Sequence, residues 1–380
     1  MAHGDWKDLM RAIEEGDLEM VRFHLRNGID CTFQHPEYLT SPLFEAIRAK
    51  RLDIVKVLFK EGNADARQLE ELTGNASWEE CLEKEQHEIL DFLCTVSPGL
   101  WTPKNVLVTG GNRGIGKAIC QELLVKGHRV VLTCRLEEEG KIVVAELKAK
   151  TGNSKVDFLV GDLSTISKVQ GLADLIRDKY PGMDVLVHNA GTWPSEKVIN
   201  ADGLEMTFMV NYMAPFVLTN QLLPVLQANS PSRIVSVNAG LALFGNPDIA
   251  KTPYGHDFSS LVKTYANSKY CNLLFMQSFE AQGVTMNAVH PGVIRTGLGE
   301  RTGCLQVLLS FVKRFWKDPS YGAKVPVYLA VSPEAEGITR IFYDDKYEVV
   351  KLPESLQDPV QQRQWSVWSQ DFLARNRSNM

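Results

Sequence analysis

No uninterrupted apolar stretch in the 380 residues reaches the roughly 18–20 needed to span a bilayer. The opening Met-Ala-His-Gly-Asp-Trp-Lys-Asp also lacks the apolar core of a secretory signal. Together these absences predict a cytoplasmic protein with no transmembrane segment. Seven cysteines fall at irregular spacings with no C-x-x-C pair, which argues against zinc ribbons and redox dithiols and predicts free thiols and no metal. There is no excess of positive charge: 41 Lys and Arg face 46 Asp and Glu, so nothing argues for nucleic-acid binding. The charge is uneven, however. Residues 1–100 carry a net −9 and residues 101–380 a net +4, consistent with two modules, the second handling an anionic ligand.

The first module repeats. The stretch Ala12-Ile13-Glu14-Glu15-Gly16-Asp17-Leu18-Glu19-Met20-Val21 aligns with Ala46-Ile47-Arg48-Ala49-Lys50-Arg51-Leu52-Asp53-Ile54-Val55 at an offset of 34. Gly28 falls on Gly62 at the same offset, and a weaker copy runs from Cys81 to Leu90, 35 residues after the second. Each unit reads as a short helix, a turn, a second amphipathic helix and a closing glycine. Ser41-Pro42-Leu43-Phe44-Glu45-Ala46 is similar to the Thr-Pro-Leu-His-x-Ala signature of ankyrin repeats. That resemblance covers residues 5–93 and implies a surface for a protein partner; a helical cap packed on the next domain is the competing reading. Two prolines and a glycine then break helical continuity. The expected organisation is a repeat domain at 1–97, a linker at 98–103 and a second domain at 104–380.

From Lys104 onward strands and helices alternate: Val106–Val108, a helix about 115–126, Arg129–Thr133, a helix about 137–150, Asp157–Val160 and Met183–His188. This rhythm predicts an α/β fold, a doubly wound parallel sheet whose ligands bind at the carboxyl ends of the strands. The first such end reads Thr109-Gly110-Gly111-Asn112-Arg113-Gly114-Ile115-Gly116 and opens a helix. Exposed N–H groups and the positive end of the helix dipole favour a phosphate there. Gly110 permits the tight turn, Gly114 the approach of a pyrophosphate and Gly116 close helix–strand packing. Asn112, Arg113 and Ile115 complete the cofactor-binding turn. After the second strand, Cys134-Arg135 stands where an NAD site carries Asp or Glu. Arg113 and Arg135 instead offer two cations to a 2′-phosphate, so NADP(H) is the expected cofactor. Asp162 and Leu163 follow the third strand, placed to meet an adenine. Asn189-Ala190-Gly191 follows the fourth and lets a cofactor lie close.

Asn211 sits inside the apolar helical pattern 209–216, where a structural hydrogen bond would satisfy its amide as well as catalysis would. Tyr265 and Lys269 share a helix face at i, i+4. A tyrosine with a pKa near 10 is a poor acid–base group at neutral pH. A neighbouring ammonium and a cationic nicotinamide would both lower that value, and the lysine can hold ribose hydroxyls. A further strand, Thr285–Val289, ends in His290-Pro291-Gly292-Val293-Ile294-Arg295-Thr296. Pro291, Ile294 and the Thr296 hydroxyl are expected around the nicotinamide carboxamide.

With these motifs in order, residues 103–350 resemble the short-chain dehydrogenase/reductases. The likeness is greatest to the branch of retinol dehydrogenases and the WW-domain oxidoreductase. The Arg113 turn, Cys134-Arg135, Tyr321-Gly322-Ala323 and Val327-Tyr328-Leu329-Ala330-Val331-Ser332-Pro333 carry that finer likeness. The resemblance implies a Rossmann-type sheet, NADP(H), and hydride exchange between alcohol and carbonyl on a lipophilic substrate such as a retinoid or steroid. It also implies a tetrad of Asn, Ser, Tyr and Lys, matched by Asn211, Tyr265 and Lys269. The serine is missing: its place after the fifth strand reads Ala239. Ser236 is three residues too early and points to the opposite face. Loss of such a donor costs roughly 10²–10³ in kcat, and Asn238 is the candidate replacement. Two readings stay open: an NADP(H)-dependent oxidoreductase, or a cofactor-binding scaffold of weak activity acting through its repeats. Leu305 to Trp316 reads as an amphipathic lid and Trp365 to Phe372 as a final amphipathic helix.

Overall fold

The computed structural model describes residues 3–84, 86–258, 261–292, 294 and 317–377. The chain divides into two compact units, Met1–Pro103 with Val125–Gly127, and Lys104–Leu124 with His128–Met380.

In the first unit six helices follow in pairs: α1 (His3–Glu15) and α2 (Leu18–Arg26), α3 (Pro42–Arg48) and α4 (Leu52–Glu61), α5 (Ser77–Glu83) and α6 (His87–Val96). The 34-residue period is carried by burial. Leu9 and Leu43, Ile13 and Ile47, and Val21 and Val55 are all withdrawn from solvent in one core. Between the later pairs, Arg48 pairs with Glu70 at 2.5 Å and Glu80 at 2.8 Å. Both carboxylates are almost fully buried, so loss of Arg48 would strand two charges.

The second unit is built on seven strands: β1 (Asn105–Val108), β2 (Arg129–Cys134), β3 (Val156–Val160), β4 (Val185–His188), β5 (Ser232–Val237), β6 (Val284–Val289) and β7 (Phe342–Tyr343). They pair in parallel in the order β3-β2-β1-β4-β5-β6-β7. Strand side chains alternate between faces, and both faces of this sheet are covered, so the strands carry apolar residues toward both sides. Val106, Val108, Val185, Val187 and Val235 pack with α7 (Gly114–Val125), α8 (Glu137–Thr151) and the helix Pro319–Val331. Leu107, Leu186, Ile234 and Met286 pack on the other face with α9 (Ile166–Lys179) and two long helices described next. The strand order reverses between β1 and β4, and a crevice at that reversal is where such sheets bind ligands.

One of those helices begins at α10 (Met206–Phe208), passes through a π-turn at Met209–Met213 and continues as α11 (Ala214–Ala228). The regular helix expected around Asn211 is therefore replaced by a π-turn. The other is α12 (Leu261–Ser278). The terminal helix runs over Pro359–Arg377, longer than its amphipathic pattern indicated. Trp365 and Phe372 enter the main core, and Tyr212 and Ser369 share a hydrogen bond of 2.7 Å. The tail is thus a structural part of the sheet's covering. The expected lid at 305–316 and Thr296 lie outside the described residues. No helix among the described residues is long and apolar enough to cross a membrane.

Candidate active site

The glycine turn is fixed by its own backbone and by β4. Gly110 and Gly114 adopt φ of +65° and +55°, left-handed conformations that L side chains rarely take. A Cβ on Gly116 would run into the Asn189 amide and the Gly110 carbonyl. The Asn189 amide donates to the carbonyls of Thr109 (3.0 Å) and Gly110 (3.1 Å). Its role is to pin the turn from behind. Thr109 completes the clamp, its Oγ1 accepting the N–H groups of Asn189 and Ala190. The result is a narrow cradle at the start of α7, lined by backbone, which suits the pyrophosphate of a dinucleotide.

The residues expected at the adenosine end gather around this cradle with two differences. Arg113 and Arg135 are exposed, as a 2′-phosphate would require. Asn112, however, donates to the Glu139 carboxylate at 2.7 Å, so an acid does reach this corner, from the first turn of α8. Asp162 is paired with Lys168 at 2.7 Å. Burial would raise its carboxyl, but hydrogen bonds from Lys168 and Ser164 hold it below its ordinary value. Leu163 packs against the core. At the opposite end Ile115 and Ile294 both come up against Gly322, and Pro291, three residues before Ile294, is buried.

The candidate catalytic side chains gather on one face of α12. Tyr265, Ser268, Lys269 and Asn272 recur at i, i+3, i+4 and i+7 and are all buried. Lys269 donates from Nζ to the Val237 carbonyl at 2.9 Å, and Nζ lies 6.0 Å from the centre of the Tyr265 ring. Burial lowers the lysine to about 8 and pushes the Tyr265 phenol above its ordinary value. The expected lowering of the tyrosine is therefore not a property of the protein by itself, because desolvation of the phenolate prevails. Nearby His188 is brought down to about 3 by burial and by the Lys269 charge, and its neutral ring bonds to Thr219 at 2.7 Å. Gly191 ties β4 to this group. A Cβ there would stand 3.3 Å from Asn211 Oδ1 and 3.8 Å from Lys269 Nζ.

Asn211 owes its place to the π-turn. Pro215, four residues on, has no N–H and cannot supply the Asn211 carbonyl with its helical donor. Asn272 Nδ2 donates to that carbonyl at 3.0 Å instead. The Asn211 side chain grips the loop after β4, accepting from Thr192 N (2.8 Å) and donating to Thr192 O (3.0 Å) and Ser268 Oγ (3.0 Å).

At the end of β5 the structure separates the candidates for a second donor. Ser236 donates its hydroxyl to Asn272 Oδ1 at 2.5 Å and is buried. Asn238 donates to the Lys269 carbonyl at 3.1 Å, and its Oδ1 accepts the Ala239 N–H at 2.8 Å. The expectation that Asn238 replaces the serine does not fit this arrangement, because its amide is engaged with α12. Ala239, half-buried at the entry to the 3-10 turn Gly240–Phe244, offers only a methyl group.

Four participants escaped the sequence reading. Asn272 and Ser268 had a usable signal, the helical phase set by Tyr265 and Lys269. Thr109 stood at the head of the glycine motif, and Trp193 had no signal. Trp193 stacks on the Tyr265 ring with centroids 4.5 Å apart and planes 15° from parallel.

Comparison with known proteins agrees with this geometry. The short chain dehydrogenase family model matches residues 104–303. Human "Retinol dehydrogenase 14" is 34% identical over 295 residues, spanning 71% of this chain and 86% of that protein. The "WW domain-containing oxidoreductase" of Pongo abelii is 30% identical over 280 residues, 70% of this chain and 67% of that one. Among solved structures, a short chain dehydrogenase from Burkholderia cenocepacia, in complex with NADP, is 26% identical with a TM-score of 0.51. It covers 63% of this chain and 95% of its own.

Proposed function

The chain belongs to the short-chain dehydrogenases, and from that premise we propose that it is an NADP(H)-dependent oxidoreductase acting on a lipophilic alcohol or carbonyl compound. The observation that carries the reading is the meeting of Tyr265, Lys269, Asn211 and Gly191 beside the glycine cradle. Kinship with retinol dehydrogenases supports a retinoid-, steroid- or lipid-like substrate. Exposed Arg113 and Arg135, and the NADP held by the Burkholderia protein, support the phosphorylated cofactor. The cytoplasmic setting we propose accords with the free state of the described cysteines. The N-terminal helices we read as ankyrin-type repeats that engage a protein partner, on the strength of their 34-residue spacing of buried positions.

Gly110, Gly114 and Gly116 would admit the pyrophosphate, and Lys269 would hold the nicotinamide ribose. When bound, the reduced cofactor supplies a hydride to the substrate carbonyl carbon. Tyr265, kept protonated by burial, gives its phenolic proton to the carbonyl oxygen, so that an alcohol results. The Lys269 ammonium stabilises the phenolate left behind. A protonated tyrosine is the form that the reductive step requires. Turnover of NADPH on a panel of retinoid, steroid and quinone carbonyls tests the reading. Tyr265→Phe should abolish turnover and leave NADPH affinity unchanged; the same residual rate in that variant would overturn it. The scaffold reading is favoured by Ala239 and by the appended repeat module, and predicts tight NADPH binding with little or no turnover on any carbonyl.

A further inference from the structure

Trp193 is held against the reacting phenol by three independent constraints. Asn211 clamps the preceding residue, Thr192, through both its N–H (2.8 Å) and its carbonyl (3.0 Å). Pro194 follows, and a residue before proline is confined to extended backbone. The indole then lies on the Tyr265 ring at 4.5 Å and 15°. Asn211 itself is fixed by Ser268 from the face of α12 that carries Tyr265. The tryptophan is therefore positioned by the catalytic group, and its ring closes one side of the approach to the phenol.

We infer that Trp193 is the specificity-determining residue of this site, a flat apolar wall that selects carbonyl compounds bearing an aromatic or quinoid ring over puckered saturated ones. The inference rests on the reading of Tyr265 as proton donor to the substrate oxygen. A substrate whose oxygen meets Tyr265 must pass beside the indole. An aromatic ring can lie face to face or offset against it, and such pairs gain about threefold to tenfold in affinity beyond their buried area. A saturated ring of the same skeleton keeps the burial and loses the stacking.

The experiment compares 2-naphthaldehyde with decahydro-2-naphthaldehyde, which share a skeleton and differ in planarity. The ratio of their kcat/KM values with NADPH should fall about threefold to tenfold on Trp193→Leu, and by less on Trp193→Phe. NADPH affinity within about twofold of the unaltered protein shows that each variant is folded. The corresponding alcohols, titrated calorimetrically onto the NADPH-loaded protein where no reaction is possible, supply the same ratio as a binding constant. An unchanged ratio in both measurements with Trp193→Leu overturns the inference. Absence of turnover with a Trp193-dependent binding ratio overturns the oxidoreductase reading and leaves the selective wall standing.

Discussion

Ala239 and Lys269 are the two residues on which the rate should depend most simply. Ala239 leaves Tyr265 without a companion hydroxyl, and Asn238 is engaged by Lys269 O and by Ala239 N. Ala239→Ser should therefore raise kcat by up to about a hundredfold with little change in NADPH affinity, read by steady-state kinetics and calorimetry. Asn238→Ala should lower the melting temperature without removing a substrate contact, so its kcat should fall no more than its stability explains. Lys269 titrates near 8, below the 10.5 of a free lysine. In the free enzyme kcat/KM should accordingly decline as pH rises through about 8, while Lys269→Met should show no such limb. Stability moves in the opposite sense. Between 8 and 10.5 the unfolded chain holds a proton that the folded one has released, so folding is favoured as pH rises across that window. A melting series with and without Lys269 checks the sign: the variant's advantage should be greatest at neutral pH and shrink toward pH 10.

At the scale of the element, α8 and the helix through Asn211 depart from their simplest description. The first turn of α8 carries Glu137, Glu138 and Glu139, favourable near the positive end of a helix dipole. Glu139 also reaches back to Asn112 in the glycine turn. In the reading proposed here its carboxylate would oppose a 2′-phosphate that Arg113 and Arg135 would attract. Arg135→Asp should reduce the preference for NADPH over NADH by about tenfold or more, and Glu139→Gln should increase it. Parallel titrations of the two nucleotides decide this; equal affinities in the unaltered protein would remove the basis for both expectations. In the second helix, Pro215 prevents regular bonding at Asn211, and the π-turn of Met209–Met213 results. Such turns concentrate at functional sites. Here it lets one asparagine serve α12 through its backbone and the loop of Trp193 through its side chain.

For the whole molecule, the core of the N-terminal unit is made of residues between Trp6 and Trp101, and the two cores of the sheet of residues between Val106 and Phe372. Among the described residues, each of these cores is a separate set. Residues 104–380 produced alone should therefore fold and bind NADPH within about twofold of the full chain's affinity. An insoluble or cofactor-blind fragment would show that the repeats complete the domain. Truncation before Pro359 should be far more damaging, because Trp365 and Phe372 fill the core under α12. Deletion of large buried side chains costs about 3–5 kcal/mol each, and thermal melting should report the loss.

What the sequence determined by itself is whatever depends on spacing along the chain. The 3.6-residue period put Tyr265 and Lys269 on one face, the alternation of strands and helices predicted the parallel sheet, and the repeat offset marked the helix pairs. Strand counting also exposed Ala239, since position relative to β5 follows from parity. Only the tertiary structure decided where side chains with several possible partners would turn. Asn238 had a donor to offer either the crevice or α12, and the Lys269 carbonyl on α12 accepts it. Glu139 is only four residues beyond Arg135, yet a helical turn folds it back on the glycine loop. Trp193 sits 72 residues before Tyr265, and nothing local links an indole to that phenol. Contacts of this kind form between segments brought together by the sheet, and their geometry exists only once the core has closed around them.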